Sequence, residues 1–131
     1  MRKRYTPAPL KKALLAVLAV GLLIGAIVWL KTQKGAPSVY DTFAQCLSEK
    51  KAVMYGAYWC SHCRDQKEAF GSSFSHVSYI ECATQGSSAQ TKVCTDAGIK
   101  GYPTWVFADG TRIEGVMSFK TLSEKTSCPL P

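Results

Sequence analysis

Residues 52–63 read AVMYGAYWCSHC. The run 52–59 is dense in apolar and aromatic residues and has strand length, the composition of a central strand buried on both faces. It stops at Cys60, and 64–70 reads as a polar helix. Two cysteines spaced C-x-x-C at a helix start have a physical logic. Unpaired backbone N–H groups and the positive end of the helix dipole stabilise a thiolate on the first of them, Cys60. Cys63, one turn later on the same face, is close enough to attack a mixed disulfide formed on Cys60, which is the geometry thiol-disulfide exchange requires. His62 between them adds positive charge or a hydrogen bond at the Cys60 sulfur. A stabilised thiolate favours the reduced pair, so the Ser-His dipeptide leans toward donating disulfides.

Outward from this junction, residues 40, 43, 44 and 47 carry apolar side chains at the spacing of a helix resting one face on a core, with Ser38 or Asp41 placed to cap it. Residues 77–82 (VSYIEC) predict a second strand, and 89–97 a short helix ended by Gly98. Residues 104–107 and 112–116 flank Asp109-Gly110, the signal of an antiparallel hairpin. A last helical piece covers 122–127. The order α-β-α-β-α-β-β-α predicts an α/β domain whose sheet is covered by helices.

The chain has 131 residues, 16 Lys+Arg against 9 Asp+Glu, and a net charge of +7. All of the excess lies in residues 1–34, which hold seven basic residues and no acid; the remainder is neutral. A neutral folded portion lacks the polycationic surface that phosphate neutralisation needs, which argues against nucleic-acid binding. Residues 13–30 form an uncharged stretch rich in Leu, Val, Ala and Ile. At ~1.5 Å rise per residue it is roughly 27 Å long, close to the hydrocarbon thickness of a bilayer. Basic residues precede it, so the N-terminus is expected in the cytoplasm and the rest outside. A cleaved signal peptide is the competing reading; its best small-residue site, Gly35-Ala36, is followed by an unfavourable Pro37. We expect the anchor to be retained. Gly21 and Gly25 add a G-x-x-x-G face within it.

The exported part is one small domain and contains all six cysteines. Disulfides persist in such a compartment, and six cysteines allow 15 pairings. A stabilising bridge between Cys82 and Cys94 is preferred over a second redox couple. Cys46 and Cys128 remain; they pair by elimination or stay as free thiols. A four-cysteine zinc site from Cys60, Cys63, Cys82 and Cys94 is disfavoured, because its second pair lacks the close spacing of structural sites. No metal is expected.

With these residues in hand, the chain resembles the thioredoxin superfamily over most of 40–127. Two motifs carry the likeness: AVMYGAYWCSHC, and the segment GIKGYPT (98–104) followed by a strand and Gly110. The second is similar to the family's cis-proline loop. The resemblance implies a thioredoxin-like fold, a cis Tyr102-Pro103 bond, and a substrate-binding loop of Gly101, Tyr102 and Pro103 facing Cys60. More narrowly, YGAYWCSHC with Cys82, Cys94 and GIKGYPTW is similar to the thioredoxin-like domain fused to bacterial and plant vitamin K epoxide reductase homologues. That implies a disulfide carrier working with a quinone-linked membrane oxidase. There are two departures. The family's buried Asp, six residues before the first active cysteine, is Met54 here, and the family's first strand is missing, so four strands are expected. Glu81 is the one candidate to replace the acid, although a strand-end carboxylate is usually solvated.

The sequence therefore predicts a cytoplasmic basic tail (1–12), a transmembrane signal anchor (13–30), a linker (31–38) and an exported thioredoxin-like domain (39–131) with a four-stranded mixed sheet. The expected location is the inner cell membrane, single-pass, with the domain periplasmic, extracytoplasmic or lumenal. Its expected activity is protein thiol-disulfide exchange at Cys60 and Cys63 on exported protein thiols. Re-oxidation falls to a membrane thiol oxidase of the vitamin K epoxide reductase homologue type, and no cofactor is needed beyond the dithiol itself. Trp59 either shields the active disulfide or fills the strand end. Tyr55, Tyr58 and Trp105 read as core aromatics, His76 as a surface residue, and Asp65, Lys67 and Glu68 as a solvated face. The alternatives are a membrane-tethered reductase of the cytochrome c maturation type, and a non-enzymatic module whose cysteines are all bridges or metal ligands.

Overall fold

The structure is a computed structural model that describes residues 10–32, 38–87 and 89–131, with the side chains of the first stretch described over 13–29. It divides into two units, 1–36 and 37–131. The first contributes one helix, α1 (Leu10–Thr32). Its large apolar side chains from Leu14 to Trp29 are all more than half exposed. Among the described residues no helix is long and apolar enough to cross a membrane, so the span expected over 13–30 is not found there. The helix takes lysines 11, 12 and 31 into its two ends. Residues 1–9 of the expected basic tail and 33–37 of the expected linker lie outside the described residues; residues 31 and 32 belong to α1.

In the second unit α2 (Asp41–Glu49) leads into β1 (Val53–Gly56), α3 (Ser61–Phe70), a 3-10 turn (Gly71–His76) and β2 (Ser78–Glu81). Then come α4 (Lys92–Asp96), the hairpin strands β3 (Thr104–Val106) and β4 (Arg112–Glu114), and α5 (Phe119–Thr126). The sheet has four strands in the order β2-β1-β3-β4. β1 runs parallel to β2 and antiparallel to β3, with Met54 opposite both Tyr79 and Trp105. β3 and β4 are antiparallel and turn at Asp109, whose Oδ1 accepts from Thr111 N at 2.8 Å.

Alternation along β1 sends Met54 and Tyr55 to opposite faces. Met54 belongs to the main core with Phe43 and Leu47 of α2, Phe70 of α3, Trp105 and Leu122 of α5. Tyr55 lies against a smaller cluster of Cys82, Cys94 and Ile99. β1 is buried only at Met54 and Gly56, and it is shorter than the apolar run predicts because the chain turns after Ala57 and leaves Tyr58 and Trp59 56% exposed. α4 is also shorter than expected, since Ala83 and Gln90 pair in an isolated antiparallel bridge that holds the preceding segment extended. The cap of α2 differs as well: its N-cap is Tyr40, and the Asp41 carboxylate accepts from Ser38 N and Ser73 Oγ. Cys46 is bonded to Cys128 and Cys82 to Cys94, while Cys60 and Cys63 are free.

Candidate active site

α3 begins one residue after Cys60, earlier than its polar stretch alone indicates, so the C-x-x-C pair occupies the first helical turn. Cys60 is the N-cap, with an extended backbone (φ −76°, ψ 119°), and its sulfur accepts from Cys63 N at 3.1 Å. An acceptor at this position satisfies one of the otherwise unpaired N–H groups of the turn and gains from the helix dipole. On its other side the Cys60 sulfur lies 3.6 Å from the carbonyl oxygen of Tyr102, immediately before Pro103. The Tyr102-Pro103 bond is cis. Thr104 Oγ1 donates to the Gly101 carbonyl at 2.8 Å, and Gln90 Nε2 donates to Tyr102 Oη at 2.7 Å. The loop is thereby held against the thiol. Trp59, Cys60, Ser61, His62 and residues 100–102 line a groove there.

The two thiols are unequal. Cys60 is 9% exposed and Cys63 only 1%. Burial pushes the Cys63 thiol up to about 12, helped by its hydrogen bond to Cys60 and opposed in part by the Ala57 backbone hydrogen bond and then by the Lys67 ammonium. Above Cys63 lies Gly56. A Cβ there would stand 3.0 Å from the Cys63 sulfur and 3.0 Å from the Tyr79 ring, so only glycine lets α3 approach β1 this closely. Tyr79 Oη donates to Glu81 Oε2 at 2.7 Å, and Glu81 Oε1 accepts from Tyr58 N and Ala83 N. The Tyr79 hydroxyl is held strongly protonated by burial and by that carboxylate.

The structure thus brings Cys60, Cys63, Trp59, Gly101, Tyr102 and Pro103 to one end of the sheet. Trp59 is more than half exposed and meets the Tyr102 ring edge-on at 5.8 Å, which fits a cover over the groove better than a core filler. His62 departs from expectation: its side chain is turned outward, with Nδ1 3.8 Å from Asp65 Oδ2. The described contacts of the Cys60 sulfur are instead Cys63 N and Tyr102 O. Tyr58 is surface and not core. Lys67 is more than a solvated residue, because its ammonium sits 3.8 Å from the centroid of the Tyr79 ring. Glu81 is half-buried and bound on both oxygens, contrary to the expectation for a strand end. Sequence reasoning passed over Tyr79 and Gln66. Gln66 is buried and holds α3 to the segment after β4, accepting from Met117 N at 2.7 Å and donating to Met117 O at 3.2 Å. Its signal was a lone amide on the face of α3 that also carries Cys63 and Phe70.

Cys82 and Cys94 are completely buried and bonded to each other, leaving no path for an attacking thiolate and no free sulfur for a metal. Among the described residues no group of three or more His, Cys, Asp or Glu is arranged to hold a metal ion.

The thioredoxin family profile matches residues 34–126. The chain belongs to the thioredoxin family. It is 41% identical over 91 residues to Thiol-disulfide oxidoreductase LTO1 of Arabidopsis thaliana, covering 66% of this chain and 24% of that protein. The match thus spans about a quarter of its relative's length. Fasciola hepatica thioredoxin, known from an X-ray structure, is 21% identical with a TM-score of 0.41, over 66% of this chain and 91% of that one.

Proposed function

We propose that this thioredoxin-family protein is a membrane-anchored thiol-disulfide oxidoreductase that oxidises exported proteins through Cys60 and Cys63. The observation that carries the reading is the seat of the Cys60 sulfur, on the first turn of α3 and 3.6 Å from the Tyr102 carbonyl, beside an open groove. A peptide lying in extended form along residues 101–102 presents its own sulfur to Cys60. The substrate thiolate attacks the Cys60 sulfur of the Cys60/Cys63 disulfide; that bond breaks, and Cys63 leaves and takes a proton. A second substrate thiolate then attacks the substrate sulfur of the mixed disulfide. The substrate leaves oxidised and the pair holds its two electrons. Trp59 and Tyr102 cover the groove, and the bridges Cys46/Cys128 and Cys82/Cys94 are structural. The dithiol itself is the electron carrier, so no further cofactor is invoked.

The anchoring part of the proposal rests on the sequence alone, on the uncharged run 13–30 between basic flanks. The proposed location is the inner membrane, with the domain on the outer side. The proposed oxidant for the reduced pair is a quinone-linked membrane oxidase of the vitamin K epoxide reductase homologue type, supported by the wording of YGAYWCSHC and GIKGYPTW. Tethering both partners to one membrane raises their effective concentration without tight binding. Equilibration against glutathione buffers tests the direction. A potential near the oxidising end of the family range supports oxidation, and one well below the glutathione poise overturns it in favour of a reductase.

A further inference from the structure

The Cys63 proton has no direct way out. The thiol is 1% exposed, yet exchange requires it to lose a proton when it attacks and to regain one when it leaves. The acid position below it is Met54, which is completely buried and does not ionise. What does face Cys63 comes from three sides: Cys60 and Lys67 from α3, Tyr79 from β2, and Gly56 of β1 with the Ala57 backbone that follows it. Tyr79 and Glu81 are two residues apart on one strand and so share a face. They pair in register with Met54 and Gly56. The point where a Gly56 Cβ would stand is 3.0 Å from the Cys63 sulfur and 3.2 Å from Tyr79 Oη. Thiol and phenol therefore face the same point beside the glycine, each close to it. From Tyr79 the path continues through the 2.7 Å bond to Glu81 Oε2, and Glu81 borders an open groove with Tyr58, Ala83, Gln85 and Gly86.

Resting on the exchange reading above, we propose that Tyr79 and Glu81 form the proton relay of Cys63. When Cys63 attacks the Cys60 mixed disulfide, its proton passes to Tyr79 Oη as the Tyr79 proton passes to Glu81 Oε2. The Cys60–Cys63 bond forms, the substrate sulfur leaves with the electron pair, and Glu81 returns its proton to solvent through the groove. In the oxidising direction each movement is reversed, so the departing Cys63 thiolate is protonated along the same path. The raised Cys63 thiol and the strongly protonated Tyr79 hydroxyl agree with this assignment, since each needs a neighbour to move its proton near neutral pH. Both are positioning residues that act through Cys63. The geometry also says which variants are clean. Glu81→Gln keeps an oxygen for the Tyr58 and Ala83 N–H groups while removing the carboxylate, and Tyr79→Phe keeps the ring under Lys67 while removing the hydroxyl.

The test follows the reduced full-length protein in detergent reacting with excess 5,5′-dithiobis(2-nitrobenzoate) by stopped flow. The first thionitrobenzoate released reports attack by Cys60, and the second reports attack by Cys63 on the mixed disulfide. In both variants the second phase slows by about tenfold or more at pH 7, a small general-base effect. It converges on the wild-type rate near pH 10, where hydroxide takes the proton. A second phase that matches wild type at every pH, or that slows by one constant factor at every pH, overturns the relay; the second result marks a packing role only. Absence of the first phase in the wild-type protein overturns the exchange reading itself.

Discussion

Cys60 and Cys63 sit three residues apart and meet different surroundings. The first lies at a groove with a backbone N–H on its sulfur, and the second lies beneath Gly56 with a thiol raised to about 12. A thiol with a raised value stays protonated, and therefore unreactive, until the pH climbs toward it. Brief treatment of the reduced protein with iodoacetamide at pH 7 is thus expected to modify Cys60 and leave Cys63 free, as read by peptide mass spectrometry. Equal labelling would contradict the described burial. At this scale the sequence was informative where chemistry is local: the C-x-x-C spacing and the cis-proline segment pointed to residues that do meet. It was silent on Tyr79 and Gln66 and read Lys67 as solvated, because the contacts of Lys67 with Tyr79 and of Gln66 with Met117 are set by strand register and helix docking. His62 shows the converse, for position inside the motif does not fix where an exposed ring turns.

At the scale of the elements, the docking of α3 on β1 depends on Gly56. Gly56→Ala places a methyl group against the Cys63 sulfur and the Tyr79 ring, and we expect a loss of about 1–3 kcal/mol in urea unfolding from overpacking. Unchanged stability would show that α3 and β1 are less tightly packed than described. Leu122 of α5 is completely buried in the main core, and Leu122→Ala is expected to cost about 2–5 kcal/mol by the same measurement. A second joint ties α2 to the 3-10 turn. The Ser73 hydroxyl bond holds the Asp41 carboxyl below the usual carboxylate range, with help from Ser38 N and His76. The sign follows from linkage: stability from this group is present above the unfolded carboxylate value and is lost as the pH falls through the lowered folded value. Thermal melts of Asp41→Asn should lie below wild type at pH 7 and approach it near pH 2; curves that stay parallel throughout would exclude the linkage. The element order was legible because the apolar periods switch cleanly along the chain. The end of β1 was not, because exposed aromatics at 58 and 59 carry the same apolar signal as buried ones, and the start of α4 was not, because the Ala83–Gln90 bridge leaves no mark in the local apolar period.

At the scale of the whole molecule, the charge excess belongs to residues 1–34 and the cysteines to the neutral domain. The pairing of Cys46 with Cys128 ties α2 to the C-terminal end across 82 residues. In the chain-entropy model a bridge over so long a loop contributes roughly 4–5 kcal/mol. Replacing both cysteines by Ala is expected to lower unfolding stability by about 2–5 kcal/mol while leaving the Cys60 groove intact. The sequence reached this pair only by elimination, since nothing local joins residues so far apart. The two structural bridges leave Cys60 and Cys63 as the free thiols, and the central claim is that this pair exchanges disulfides with other proteins. The direct measurement is to express Cys63→Ala in its native cells, quench thiols with acid, and identify by mass spectrometry what is disulfide-linked at Cys60. The account predicts mixed disulfides between Cys60 and exported proteins, all of them lost when Cys60→Ser is added. A Cys60 that carries no protein partner would contradict it.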